Sequence, residues 1–271
     1  LAAGHRPCFF CRRKEAQLFL SLAEPPLMAD EADRILHDER HASRRTPARQ
    51  DCRVADLPDG AMIAIAGAPH AVRGDYLLRS EALVEAEADA LVLDIAHGHA
   101  DAAIEAVQEL KSSWPAVEVV AGNVATADGV RDLAAAGADA VKVGIGPGFA
   151  CTTRLVAGVG VPQLTAVLDC APAAQERDIP LIADGGVRRA GHVAMAIAAG
   201  ASTVMVGSLF AGREESPGDV VRRRGQLFKV YRGMASRSAA AARLAIEGRG
   251  DALDQYVAEG EEMEFPLRGS V

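Results

Sequence analysis

Ala138-Asp-Ala-Val-Lys-Val-Gly144-Ile-Gly-Pro-Gly-Phe-Ala-Cys151-Thr-Thr-Arg154 is the stretch on which the fold turns. Ala138 to Val143 reads as a strand, and a glycine-rich loop follows it at once. Glycines at 144, 146 and 148 open backbone conformations closed to other residues and let a ligand come close. The loop then presents Cys151, and a thiolate is the most nucleophilic side chain near neutral pH. Taken alone, the same letters also describe a turn around a structural cysteine.

Outward from this unit the pattern repeats. Strands are predicted at Met62–Gly67, Ala90–Asp94, Val117–Gly122, Ala138–Val143, Pro180–Asp184 and Thr203–Gly207. Helical spacing fills Tyr76–Glu87, Asp101–Ser112, Ala127–Ala136 and Gly191–Ala199, with an irregular stretch ending near Arg177. Continuously apolar strands joined by helices imply parallel strands buried on both faces, in a (β/α) barrel or an open doubly wound sheet. A joint recurs between helix and strand: Glu85-Ala-Glu-Ala-Asp89, Ala135-Ala-Gly-Ala-Asp139 and Ala198-Ala-Gly-Ala-Ser202. Glycine there supplies the left-handed residue that ends a helix. The first copy has Glu87 instead, where a positive φ costs on the order of 1 kcal/mol.

Residues 1–58 are rich in arginine and histidine and lack this alternation, so they read as a divergent segment ahead of a barrel over 59–271. Leu18–Leu22 is a candidate strand and Met28–Glu39 a candidate helix. A closed (β/α)8 barrel needs two strands more than those placed above.

Composition bounds the function. Half of the 271 residues are apolar, aromatics are few, and the formal charge is −8. A net acidic chain lacks the basic stripe of a nucleic-acid surface, though a phosphate needs only local donors. The five scattered cysteines do not form a secreted disulfide framework, which points to the cytoplasm. No apolar run spans a bilayer. Cys8-Phe-Phe-Cys11 has no second pair to complete a zinc site, and His97 and His99 lack a third ligand.

Ligands bind parallel barrels at the carboxyl ends of the strands. Here those ends read Asp94-Ile-Ala-His97-Gly-His99, Ala121-Gly-Asn123, the cysteine loop, Asp184-Gly-Gly186 and Gly207-Ser208. Any one of these is explained by a turn or cap; together on one face they outline a site. Asp184 is suited to sugar hydroxyls, and Gly185, Gly186, Gly207 and Ser208 to a phosphate. Asp94 and Asn123 are suited to a second ligand.

These segments, with Val141-Lys-Val-Gly-Ile-Gly-Pro-Gly148, Cys151-Thr-Thr-Arg154, Gly158-Val-Gly-Val-Pro-Gln163, Val206-Gly-Ser-Leu209, Glu215-Ser-Pro-Gly218 and Tyr231-Arg-Gly-Met234, resemble the inosine monophosphate dehydrogenase and guanosine monophosphate reductase family from about residue 61 to 269. The resemblance implies a (β/α)8 TIM barrel, a purine nucleotide monophosphate as substrate and a homotetramer. Cys151 would attack purine C2 to form a thioimidate, with Thr153 assisting and paired with Glu259. Asp184 would hold the ribose; Gly186, Gly207, Ser208 and Tyr231 the phosphate; Gly233 and Met234 the base. Asp94, Asn123 and Arg154 would face the nicotinamide cofactor. In the dehydrogenases of the family, carbonyls at Gly146, Gly148 and Cys151 would surround a monovalent cation such as potassium.

The chain departs from the family pattern. Phe149 replaces a serine that helps bind phosphate, removing a donor and adding bulk. The family's amino-terminal strand segments are not recognisable in 1–58, relatives continue past Val271, and no regulatory insert is evident. The dehydrogenase oxidises its substrate with NAD and hydrolyses the intermediate with an Arg-Tyr pair; the reductase uses NADPH and lacks the pair. Between Met234 and Glu259 there are Arg243, Arg249 and Tyr256 but no adjacent Arg-Tyr. The ending Glu259-Gly-Glu-Glu-Met-Glu-Phe-Pro-Leu-Arg-Gly269 is also reductase-like. The expectation is therefore guanosine monophosphate reductase with NADPH, the alternative being NAD-dependent oxidation of inosine monophosphate. A non-catalytic nucleotide binder and a flavin-dependent barrel are the readings from other classes.

Overall fold

The computed structural model describes residues 17–20, 63–67, 76–86, 88–246 and 250–271. The first elements are β1 (Gln17–Leu20), β2 (Ile63–Gly67), α1 (Tyr76–Glu85), β3 (Ala90–Asp94), α2 (Asp101–Ser113) and β4 (Glu118–Val124). Then come α3 (Ala127–Ala135), β5 (Ala140–Val143), α4 (Thr153–Val156), α5 (Gln163–Glu176), β6 (Leu181–Asp184), α6 (Ala190–Ala198) and β7 (Thr203–Val206). The chain ends with β8 (Val220–Arg223), β9 (Gln226–Arg232), α7 (Arg237–Ile246), a 3-10 helix (Gly250–Gln255) and β10 (Glu262–Pro266).

β1 to β7 form one seven-stranded sheet in the order β1-β7-β6-β5-β4-β3-β2, and every pairing is parallel. The order from β2 to β7 follows the chain without reversal, and β1 then sits beside β7. A doubly wound sheet reverses its strand order part-way. Successive neighbours that bring the first strand beside the last describe a (β/α)8 TIM barrel, incomplete among the described residues, with β1 and β2 as its edges. β1 draws part of residues 1–58 into this sheet. The candidate helix Met28–Glu39 and Glu87 lie outside the described residues.

Alternation along the strands sorts their side chains onto two faces. Leu91, Leu93, Val119, Ala121, Val141, Val143, Leu181, Ala183, Val204 and Val206 join the core shared with the helices. The opposite parity holds Asp94, Lys142 and Asp184, so the inner face is polar at its carboxyl end. Register puts Asp94 opposite Gly122, and Gly122 opposite Lys142. The strand expected to end at Gly122 runs on to Val124, through an irregularity at Asn123 that re-aims that side chain.

The helices cover the outer face. Ala103, Ala106, Val107 and Leu110 of α2 are buried at helical spacing. Thr126 caps α3 by accepting the Gly129 amide at 3.2 Å. α3 and α6 end as the recurring joint predicted. Gly137 and Gly200 have φ of 107° and 108°, and the next amides reach back to Leu133 and Ala196. The Ala88 amide makes the corresponding bond to Leu83 after α1. α5 closes in the same way with Asp178 at φ 53° and the Ile179 amide on Ala174. The sequence hides this copy because aspartate stands where the α3 and α6 joints have glycine. α5 also runs regularly through Pro172, where an irregular stretch was expected. The carbonyl that Pro172 leaves unbonded belongs to Leu168, which is 53% exposed, so water can satisfy it.

β8, β9 and β10 form a separate antiparallel sheet in the order β10-β9-β8, which periodicity did not reveal. Arg224 and Gly225 join β8 to β9 with φ of 49° and 85°, a two-residue turn matched to strand twist.

Candidate active site

The cysteine loop and the chain's tail are stitched together. The Thr152 amide donates to the Glu259 carbonyl at 2.8 Å, and the Glu261 amide to the Ala150 carbonyl at 2.9 Å. Cys151 thus pairs with Gly260 as an antiparallel bridge. The Gly233 amide donates to Glu261, and the Glu259 amide to Ala235. An added Cβ on Gly233 would press on Ala150, and one on Gly260 on Ser236, so both glycines allow close backbone approach. Cys151, Thr153, Gly233 and Glu259 are thereby gathered from distant parts of the chain.

Cys151 is partly exposed, and its thiol donates to Thr153 Oγ1 at 3.2 Å. Among the described residues no hydrogen bond joins Thr153 to the Glu259 carboxylate; their elements meet through the backbone. The loop also abuts the turn after β6. An added Cβ on Gly185 would lie 3.0 Å from Pro147 and 3.2 Å from the Gly148 amide, and one on Gly144 only 2.1 Å from the Asp184 carbonyl.

Beside the loop lies an ionic cluster that the sequence reading missed. Lys142, 2% exposed, donates to Asp184 Oδ2 at 2.5 Å and to Asp94 Oδ1 at 2.9 Å. Burial opposes its charge, but the two carboxylates outweigh burial and hold the ammonium above the ordinary lysine range. Asn123 Nδ2 donates to the Gly144 carbonyl at 2.8 Å and to Asp184 Oδ2 at 2.9 Å. Gln163 Nε2 holds the Val143 carbonyl at 2.8 Å. The Asn123 and Gln163 amide oxygens are buried without a partner. A charged residue within Ala140-Val-Lys-Val143 was the available signal for Lys142.

At the expected phosphate end, Gly185 and Gly186 take φ of 87° and 77°. Burial, and then the charge of Asp184, raise the Tyr231 phenol above its ordinary range, which sets Tyr231 in that carboxylate's field. Tyr231 packs edge-on against Phe265, which packs against Phe149, each at 5.6 Å between ring centres. The Arg188 guanidinium lies 5.3 Å above the Phe149 ring. Gly207 and Ser208 follow β7 in a turn closed by the Phe210 and Ala211 amides. Met234 is half-buried between β9 and α7.

Arg154 does not reach Asp94 or Asn123. Its head donates to the Val161 carbonyl and its stem lies against Gly146 and Gly160. The Gly148 carbonyl is engaged by the Cys151 amide. His99 pairs with Asp132 at 2.7 Å, and no cluster of three metal-ligating side chains occurs among the described residues. No helix among them is long and apolar enough to cross a membrane.

Comparison with known proteins agrees with the motifs. The domain model for "IMP dehydrogenase / GMP reductase domain" matches residues 49–271. A relative named inosine-5'-monophosphate dehydrogenase, from Nitrosopumilus maritimus, is 46% identical over 270 residues, covering 92% of this chain and 56% of its own. Relatives with the same name from Aquifex aeolicus and Rhodopirellula baltica are 52% and 54% identical, covering 73% and 72% of this chain. The chain spans 40% and 37% of those two proteins. With a barrel of parallel strands, a cysteine loop at its mouth and a family match over most of its length, the chain belongs to the IMP dehydrogenase / GMP reductase family.

Proposed function

We propose that this barrel is the catalytic part of a purine nucleotide oxidoreductase that oxidises inosine monophosphate at C2 with NAD. The observation carrying it is the Cys151 thiol, 3.2 Å from Thr153 Oγ1 on a loop fastened to the tail and abutting the Asp184 turn. The relatives' name turns the choice between the two family reactions toward the dehydrogenase, against the reductase expected from the tail.

In this reading Cys151 Sγ adds to purine C2, and its proton leaves to solvent through the adjacent Thr153 hydroxyl. NAD held beside Asp94 and Asn123 would supply the acceptor for the hydride on C2. Water then adds to C2 of the thioimidate, expels the Cys151 sulfur and yields the 2-oxo product. Asp184 holds the ribose through Oδ1, since Oδ2 is committed to Lys142 and Asn123. Gly186, Gly207, Ser208 and Tyr231 hold the phosphate, while Gly233 and Met234 border the base. Asp94 and Asn123 fit the cofactor's polar groups: among the described residues only Oδ1 of Asp94 is hydrogen-bonded, to Lys142, and the Asn123 amide oxygen is a buried acceptor awaiting a donor. A homotetrameric assembly and a cytoplasmic setting accompany this reading.

One observation favours a second reaction. The tail from Met234 to Glu259 has no adjacent Arg-Tyr to activate the hydrolytic water, so reductive deamination of guanosine monophosphate with NADPH is the competing reading. The test is absorbance at the reduced-nicotinamide band with both substrate pairs. A rise with inosine monophosphate and NAD supports the dehydrogenase. A fall with guanosine monophosphate and NADPH supports the reductase, and no change with either pair defeats both.

A further inference from the structure

We propose that Lys142 is a positioning residue that holds the substrate-facing and cofactor-facing carboxylates, Asp184 and Asp94, in one shared ion cluster, so that a single buried side chain builds both halves of the site. The proposal rests on the oxidoreductase reading above.

Lys142 is at the middle of the inner face, and its ammonium reaches Asp184 on one side and Asp94 on the other. Asp94 and Lys142 belong to β3 and β5, which do not pair directly; β4 separates them. The residue between them in register is Gly122. An added Cβ there would lie 2.7 Å from Lys142 Cβ and 2.6 Å from its carbonyl oxygen. The missing side chain is the gap through which the ammonium reaches across a whole strand.

Each carboxylate is half used. Asp184 Oδ2 takes Lys142 and Asn123, and Asp94 Oδ1 takes Lys142. Asp184 Oδ1 and Asp94 Oδ2 have no partner among the described residues. A buried ammonium between two carboxylates fixes which oxygen of each turns outward. Removing the cation leaves two like charges facing one another across a glycine gap with nothing to hold them, and both side chains rotate away from the shared point. Because they serve different ligands, both affinities fall together. Support of one ligand alone would predict one affinity moving.

The test is steady-state kinetics of Lys142→Gln and Lys142→Arg, with thermal unfolding to verify folding. Glutamine keeps a hydrogen-bond donor in similar length but removes the charge. The expected result is a rise of about tenfold or more in KM for both inosine monophosphate and NAD, with kcat within about threefold. Arginine restores the charge and brings both KM values back to within about threefold of wild type. A rise in only one KM, a loss confined to kcat, or no rescue in a folded arginine variant overturns the proposal. Wild-type protein that neither turns over nor binds inosine monophosphate defeats the oxidoreductase reading instead, whatever the variants do.

Discussion

Two cysteines with defined surroundings show how environment assigns chemistry to one residue type. Cys151 is partly exposed on its loop, with a hydroxyl at the sulfur. Cys170 is on the buried face of α5, and burial, then the charge of Asp169, push its thiol up to about 12. Alkylation of native protein followed by peptide mapping should modify Cys151 and spare Cys170, with inosine monophosphate protecting Cys151. Replacing Cys151 by alanine should lower kcat by about a thousandfold or more while the fold persists. The Cys170 shift has a sign that can be read. Below about 9 both states hold the proton and no slope arises. Between about 9 and the folded value of about 12, the unfolded chain releases it first, so stability falls as pH rises. Wild type minus Cys170→Ala should isolate that slope in denaturant titrations. Phe149 offers a further test, since the family resemblance leads one to expect a phosphate-binding hydroxyl at its position. Phe149→Ser should tighten nucleotide binding roughly tenfold, the worth of a hydrogen bond to a charged group, measured by direct titration.

At the scale of elements, the same helix ending recurs with two different residue types at its left-handed position. Gly137 and Gly200 adopt it freely, whereas Asp178 holds φ 53° against its own Cβ. Asp178→Gly should raise stability by roughly 0.5–1 kcal/mol in chemical denaturation. Gly200→Ala should cost about 2 kcal/mol or more, because φ is 108° and the new Cβ would meet Ala171 Cβ at 2.6 Å. Glycine at the left-handed position made the α3 and α6 joints legible in the sequence. The α5 joint was illegible because aspartate at 178 also serves as an ordinary turn or cap residue. The small antiparallel sheet escaped for a related reason. Its strands bury little, so Val220–Arg223 and Gln226–Arg232 carry no apolar alternation that separates them from loop.

For the whole molecule, the decisive feature is that β10 and the residues before it close over the cysteine loop. Ending the chain after Tyr256 would remove the Glu259 and Glu261 contacts to Thr152 and Ala150. Such a variant should keep the helical signal of the parallel sheet and its helices but lose turnover and the selective reactivity of Cys151. The repeating strands, the helix joints and the polar strand ends were fixed locally, because burial on both faces demands apolar runs and left-handed turns demand glycine. The sequence alone therefore determined a parallel barrel with a nucleophilic loop at its mouth and the family to which it belongs. It did not determine that the tail would lock onto that loop, that Arg154 would turn toward Val161, or that Lys142 would bridge Asp94 and Asp184 across Gly122. Those contacts join residues 42 to 111 positions apart or depend on a side chain's direction at close range, and only register between neighbouring strands and the packing of loops on one another decides them.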